Sequence, residues 1–76
     1  MVFLVTRYRK DEDIPDSSTD VTATGAEAFG ELLGMPADQL VDVYPLTREH
    51  AARVRRLTGI TLDLKTYDYF LEPEAD

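Results

Sequence analysis

The sequence predicts an α+β fold: a small, mainly antiparallel sheet with two helices packed on one of its faces. Three observations carry that expectation. A β-branched and aromatic run opens the chain over Val2–Arg9, two amphipathic stretches with helical spacing follow near residues 25–34 and 47–58, and a second aromatic run lies at residues 67–71. The two runs need a strand partner and apolar cover, and the two helices are the only elements that supply it. With 76 residues, the chain is expected to form a single domain over residues 1–76, because a second core would leave each half too small to bury enough apolar surface. No cysteine is present, so packing alone must hold that core, from an apolar fraction of 43%. Dimerisation would add stability, and the expected state is a monomer or homodimer.

In the first run Val2, Leu4, Thr6 and Tyr8 alternate with Phe3, Val5, Arg7 and Arg9. The first half is apolar on both faces, as suits a central strand. Residues 11–20 combine Asp11, Glu12, Asp13, Pro15 and Asp16 with serines, the composition of an exposed loop, and a second hairpin arm is expected over residues 20–23. Thr24 and Glu27 have capping-box spacing, which places a helix start there. Ala26, Phe29, Leu32 and Leu33 share its apolar stripe, and Gly34 before Met35 and Pro36 supplies the stop. Gly30 inside that helix costs about 1 kcal/mol relative to alanine and points to close packing against a neighbour.

Pro36 to Leu40 reads as one helical turn, with Pro36 at its first position, and Val41 to Tyr44 alternates like a short strand; helix and strand both remain open for residues 36–44. Pro45 forces a break, after which Thr47 is placed to cap the second helix. Ala51, Val54 and Leu57 form its stripe and Gly59 ends it. Ile60, Leu62 and Leu64 alternate in one phase, and Tyr67, Tyr69 and Leu71 in the other. A bulge near Lys65 and Thr66, or a turn between two short strands, must reset the register. Residues 72–76 read as a frayed acidic tail.

Composition narrows the function. No segment approaches the roughly 20 apolar residues of a membrane span, and the N-terminus lacks the order of a secretory signal, so a cytoplasmic protein is expected. A formal charge of −7, from 15 acidic and 8 basic residues, repels nucleic acid and anionic lipid and favours a partner protein with a basic surface. Catalytic equipment is sparse. His50 is the single imidazole, Glu49 beside it points about 100° away on a helix, and the glycines are scattered rather than grouped in a phosphate loop. Asp11, Glu12, Asp13 and Asp16 miss calcium-loop spacing. The expectation is a non-enzyme with no cofactor and no metal. Arg48, Arg53, Arg55 and Arg56, half of the basic residues, fall on the outside of the second helix, where salt bridges to the acidic strands would absorb them.

The order Asp42-Val43-Tyr44-Pro45-Leu46-Thr47, an amphipathic helix, Gly59-Ile60, Asp63 and then Tyr67-Asp68-Tyr69-Phe70-Leu71-Glu72 resembles a family of small bacterial proteins. Several of its members look like immunity partners of polymorphic toxins. The resemblance covers the C-terminal half and implies a compact α+β protein that neutralises a cognate toxin by occlusion, with no catalytic residue. An accessory or regulatory subunit of a biosynthetic or signalling assembly would need the same architecture. For either role the expected partner-binding surface is an acidic and aromatic face of Asp63, Asp68, Phe70 and Glu72, rimmed by Asp11, Glu12, Asp13 and Asp16. Tyr67, Tyr69 and Leu71 are expected on the buried side.

Overall fold

The computed structural model describes residues 1–75. It is an α+β domain whose four strands form one antiparallel sheet: β1 (Val2–Arg9), β2 (Pro15–Asp20), β3 (Tyr44–Leu46) and β4 (Tyr67–Glu74), in spatial order β2-β1-β4-β3. Helices α1 (Ala26–Leu33) and α2 (Ala51–Thr58) cover one face. The open alternation of β1 and β4 dictates the arrangement. Phe3 and Val5 on β1 and Tyr69 and Leu71 on β4 point inward to meet Phe29 and Leu32 of α1, Leu40, Leu46 of β3 and Val54 of α2. Leu71 has 0% exposure and marks the centre of this core. The Phe3 and Phe29 rings meet at 5.3 Å, tilted by 42°.

β1 and β4, the two central strands, pair along their full length, from Val2 opposite Glu74 to Arg9 opposite Tyr67. The expected frayed tail is therefore a strand as far as Glu74, held by β1 and by a side-chain bond from Thr6 to Glu72. A second correction concerns the expected loop at residues 11–20. Its latter part is β2, paired with β1 from Leu4–Asp20 to Tyr8–Pro15, and the expected arm at 20–23 gives way to a single 3-10 turn over Thr22–Thr24. The polar sequence of β2 pairs through its backbone and through cross-strand bonds such as Ser18 to Thr6, so no apolar alternation marks it.

The capping box at Thr24 and Glu27 does not form. Gly25 is the residue before α1, at φ 93°, where a side chain would be strained, and Thr24 instead donates its hydroxyl to the carbonyl of Leu57. Thr47 does cap the second helical segment, through a box completed by His50, whose Nδ1 accepts the Thr47 amide at 3.0 Å. The first turn there is 3-10, over Arg48–His50, and α2 follows. Residues 36–44 resolve into a 3-10 turn over Ala37–Gln39, preceded by Pro36 as its cap, and β3 begins only at Tyr44. Val41 and Val43 alternate in sequence yet are exposed, because the Tyr44 hydroxyl, accepting from the amides of Val41 and Asp42, ties this stretch into a loop. Nor do Ile60, Leu62 and Leu64 form a strand. They lean against the core as an irregular segment, and a turn in which Asp63 O accepts the amides of Thr66 and Tyr67 resets the phase before β4.

The sheet's two edges differ. On the β3 side, Pro45 lies opposite Phe70 and Pro73 opposite Phe3, both at positions whose amide faces away from the paired strand in the antiparallel alternation. Neither proline has an N–H to offer there. On the β2 side the same alternation turns the backbone groups of Ser18 and Asp20 outward.

Candidate functional site

The face of the sheet opposite the helices is built by Leu4, Thr6 and Tyr8 of β1 and by Asp68, Phe70 and Glu72 of β4, cross-strand neighbours in the register Leu4–Glu72, Thr6–Phe70 and Tyr8–Asp68. Thr6 is its anchor. Although no helix covers it, Thr6 is only 1% exposed, roofed by its neighbours. Its hydroxyl donates to Glu72 Oε1 at 2.8 Å and, having a single proton, accepts from Ser18 Oγ at 2.9 Å. The Tyr8 hydroxyl reaches Glu72 Oε2 at 3.5 Å, the far limit of a hydrogen bond. Partial burial, reinforced by the Glu72 carboxylate, raises the Tyr8 phenol above its ordinary value, so it stays a neutral donor at physiological pH.

Tyr8 and Phe70 meet edge to face at 5.6 Å, nearly perpendicular at 84°. Their rings floor a shallow, open depression of about 390 Å³ whose walls are Glu12, Asp13, Val43, Asp68 and Glu72. Four carboxylates thus surround two aromatic rings and an exposed valine. Two of them are engaged, Glu72 by Thr6 and Tyr8 and Asp68 by Lys10, whose Nζ lies 2.8 Å from Asp68 Oδ1 in a solvent-exposed pair of small energetic weight.

The sequence-predicted site divides in two. Asp68, Phe70, Glu72, Glu12 and Asp13 come together, with Phe70 and Glu72 half-buried and Asp68 exposed, and Tyr69 and Leu71 on the buried side as expected. Asp11 stays exposed in the β1–β2 turn, at a positive φ of 69°, outside the lining of the depression. Asp63 is on the other side of the sheet: its amide donates to the hydroxyl of the inward-facing Tyr69 at 3.2 Å. Asp16 also leaves the surface expected for it. The register of β1 and β2 slips between Arg7 and Tyr8, and the extra residue turns its carboxylate to Arg7 at 2.7 Å and Arg9 at 3.4 Å, side chains on the helix-bearing face. The hydrogen bond from Arg7 holds the Asp16 carboxyl below the ordinary aspartate value. Arg7 in turn lies 4.1 Å above the Tyr67 ring.

Tyr8, Thr6 and Val43 join the site without having been singled out in sequence. Thr6 and Tyr8 were recoverable from pairing, because strands aligned Tyr8 to Asp68 must share a face; Val43 carries no such signal. His50, the one imidazole, serves the helix cap. Among the described residues no group of three or more His, Cys, Asp or Glu side chains is placed to hold a metal ion. Among the described residues no helix is long and apolar enough to cross a membrane.

The sequence model of a family described as a domain of unknown function (DUF7683) matches residues 2–72. No curated protein and no solved structure matches the chain.

Proposed function

We propose that this chain, which belongs to the DUF7683 family, is a protein-binding module that engages the basic surface of a partner through the helix-free face of its sheet. The observation that carries the reading is the depression itself, in which Tyr8 and Phe70 are ringed by Glu12, Asp13, Asp68 and Glu72. Each part suits a cationic protein surface. Aromatic rings contribute contact area at low entropic cost and attract a guanidinium or ammonium over their faces, and the carboxylates steer and pair the charge. Glu72, already fixed by Thr6, presents a carboxylate whose direction is set before the partner arrives.

Within that class we favour an immunity-type inhibitor that occludes a basic toxin, supported by the acidity of the chain and by the resemblance of its C-terminal half. Toxins that act on nucleic acid are basic, and an acidic inhibitor gains association rate from complementary fields. The test is co-expression and pull-down with the product of the adjacent gene, followed by kinetics with Asp13→Lys/Asp68→Lys and with Phe70→Ala. These positions spare the Thr6–Glu72 bond. The double reversal is expected to slow association about tenfold at low salt and to flatten its salt dependence. Phe70→Ala is expected to raise the dissociation rate by about tenfold or more, as for a central aromatic contact. Unchanged kinetics in both variants would refute this surface, and a neighbour that is neither toxic nor bound would refute the immunity role.

A further inference from the structure

Seven of the eight basic residues of this acidic chain fall into two groups with different fates, and the eighth, Lys65, is exposed in the turn before β4. On β1 and its turn they are engaged, Arg7 and Arg9 by Asp16 and Lys10 by Asp68. On and before α2, Arg48, Arg53, Arg55 and Arg56 are all exposed, and among the described residues none has a carboxylate within ion-pair distance. The expected salt bridges to the acidic strands are absent there, even though Glu49 stands four residues before Arg53, a spacing that favours pairing on a helix.

Helix stability accounts for only part of this group. Arg55 and Arg56 occupy the last turn of α2, where positive charge complements the helix dipole. Arg48 sits in the first turn of the segment, the unfavourable end, and Arg53 is mid-helix. Arg53 donates from Nη1 to the Glu31 carbonyl at 3.3 Å, which brings its guanidinium to the mouth of a groove of about 210 Å³ between α1 and α2. The groove is lined by Ala28, Leu32 and Leu57 along with Glu31, Arg53 and Arg56. Apolar side chains beside two guanidinium groups make a two-part recognition surface.

We propose that this groove docks an acidic segment of a protein partner, with one apolar side chain seated between Leu32 and Leu57 and flanking carboxylates paired to Arg53 and Arg56. Charge complementarity selects the occupant. Guanidinium groups bind carboxylates through paired N–H donors, and four of them unneutralised on α2 and the turn before it concentrate positive potential on a chain of net charge −7. A nucleic acid fits less well. No aromatic ring lines the groove for base stacking, and a duplex offers no apolar side chain for Leu32 and Leu57 to hold. This surface lies on the helices, away from the sheet face described above, and does not depend on the function proposed for that face.

The full chain, labelled with nitrogen-15, is titrated with an acidic peptide in which pairs of glutamates alternate with single leucines. In parallel it receives the same peptide with glycine for leucine, and a short DNA duplex. Saturable amide shifts clustered at Ala28, Glu31, Leu32, Arg53, Arg56 and Leu57 are expected with the leucine peptide. Binding should weaken about tenfold with the glycine peptide and about tenfold in Arg53→Glu/Arg56→Glu. Should the double variant lose its native spectrum, Arg56→Glu alone serves, since among the described residues that side chain makes no hydrogen bond or ion pair to α1 and lines the groove from the exposed last turn of α2. Dispersed or absent shifts, equal binding of the two peptides, tighter binding of the duplex, or an unaffected variant would each overturn the proposal.

Discussion

Replacing Gly30 by alanine should destabilise the domain, although the same change in an ordinary helix stabilises it. Alanine is favoured over glycine inside a helix by about 1 kcal/mol, so propensity alone predicts a gain. The chain beyond α1 reverses this. Gly34 adopts a left-handed conformation, the Met35 amide donates to the Gly30 carbonyl at 2.9 Å, and the backbone folds back across Gly30. A methyl group there would stand 2.7 Å from Met35 O, 3.2 Å from Ala37 N and 3.4 Å from Ala37 Cα. All three are backbone atoms, with no flexible side chain to swing aside. Overpacking of this kind costs about 1–3 kcal/mol, and contact with fixed backbone belongs to the upper part of that range. After the propensity gain the net loss is about 1–2 kcal/mol, a large share of the roughly 3–5 kcal/mol that a domain of this size has to spare. Urea unfolding at unchanged m-value should show a lower midpoint, and the melting temperature should fall by about 5–15 °C. Ala52→Gly, at an exposed position of α2, is the control and should cost about 1 kcal/mol in the ordinary direction. A Gly30→Ala protein as stable as the parent, or more so, would refute the account of the close approach.

Two further outcomes follow from the sheet. Thr6→Val keeps the β-branched shape but removes the donor to Glu72 and the acceptor for Ser18, and should cost about 1–2 kcal/mol in urea unfolding; a variant indistinguishable from the parent would show that the bond is replaced by water without loss. Asp16, bonded by Arg7, and Asp20, bonded by Thr22, both titrate below the ordinary aspartate value in the folded chain. Depressed carboxyls contribute stability above the unfolded value of about 3.9 and lose it as pH falls through the folded one, so unfolding midpoints measured across that acid range should drop, and Asp16→Asn should make the drop shallower. An identical profile in Asp16→Asn would remove that carboxylate from the acid response.

The elements legible in the sequence are those that bury a periodic set of side chains. β1, α1, α2 and the first half of β4 each place apolar residues at the spacing of their own geometry, and Tyr69 and Leu71 could be assigned inward on that ground. β2 had no such signal, because Asp16, Ser17, Ser18, Thr19 and Asp20 bury nothing and are held by their pairing with β1. Glu72, Pro73 and Glu74 read as a tail for the same reason. Val41 and Val43 failed in the opposite way: their alternation is genuine, but the Tyr44 hydroxyl captures the neighbouring amides and leaves both valines in solvent. At the site, Asp68, Phe70 and Glu72 were found together since one strand carries them. Asp16 was lost through a one-residue slip in register, and Asp63 through a turn, and neither slip nor turn leaves a mark in composition.

The two prolines at the β3 side of the sheet bear on how such molecules can stack. A chain whose β3-side border lacks amide donors at Pro45 and Pro73 pairs more readily along β2, and a second chain joined there by its own β2 would turn the donor-poor border outward on both sides. Growth by strand addition would then halt at a pair. Replacing Pro45 and Pro73 by residues with an amide hydrogen would lift that limit and open the way from a closed pair to an endless ribbon.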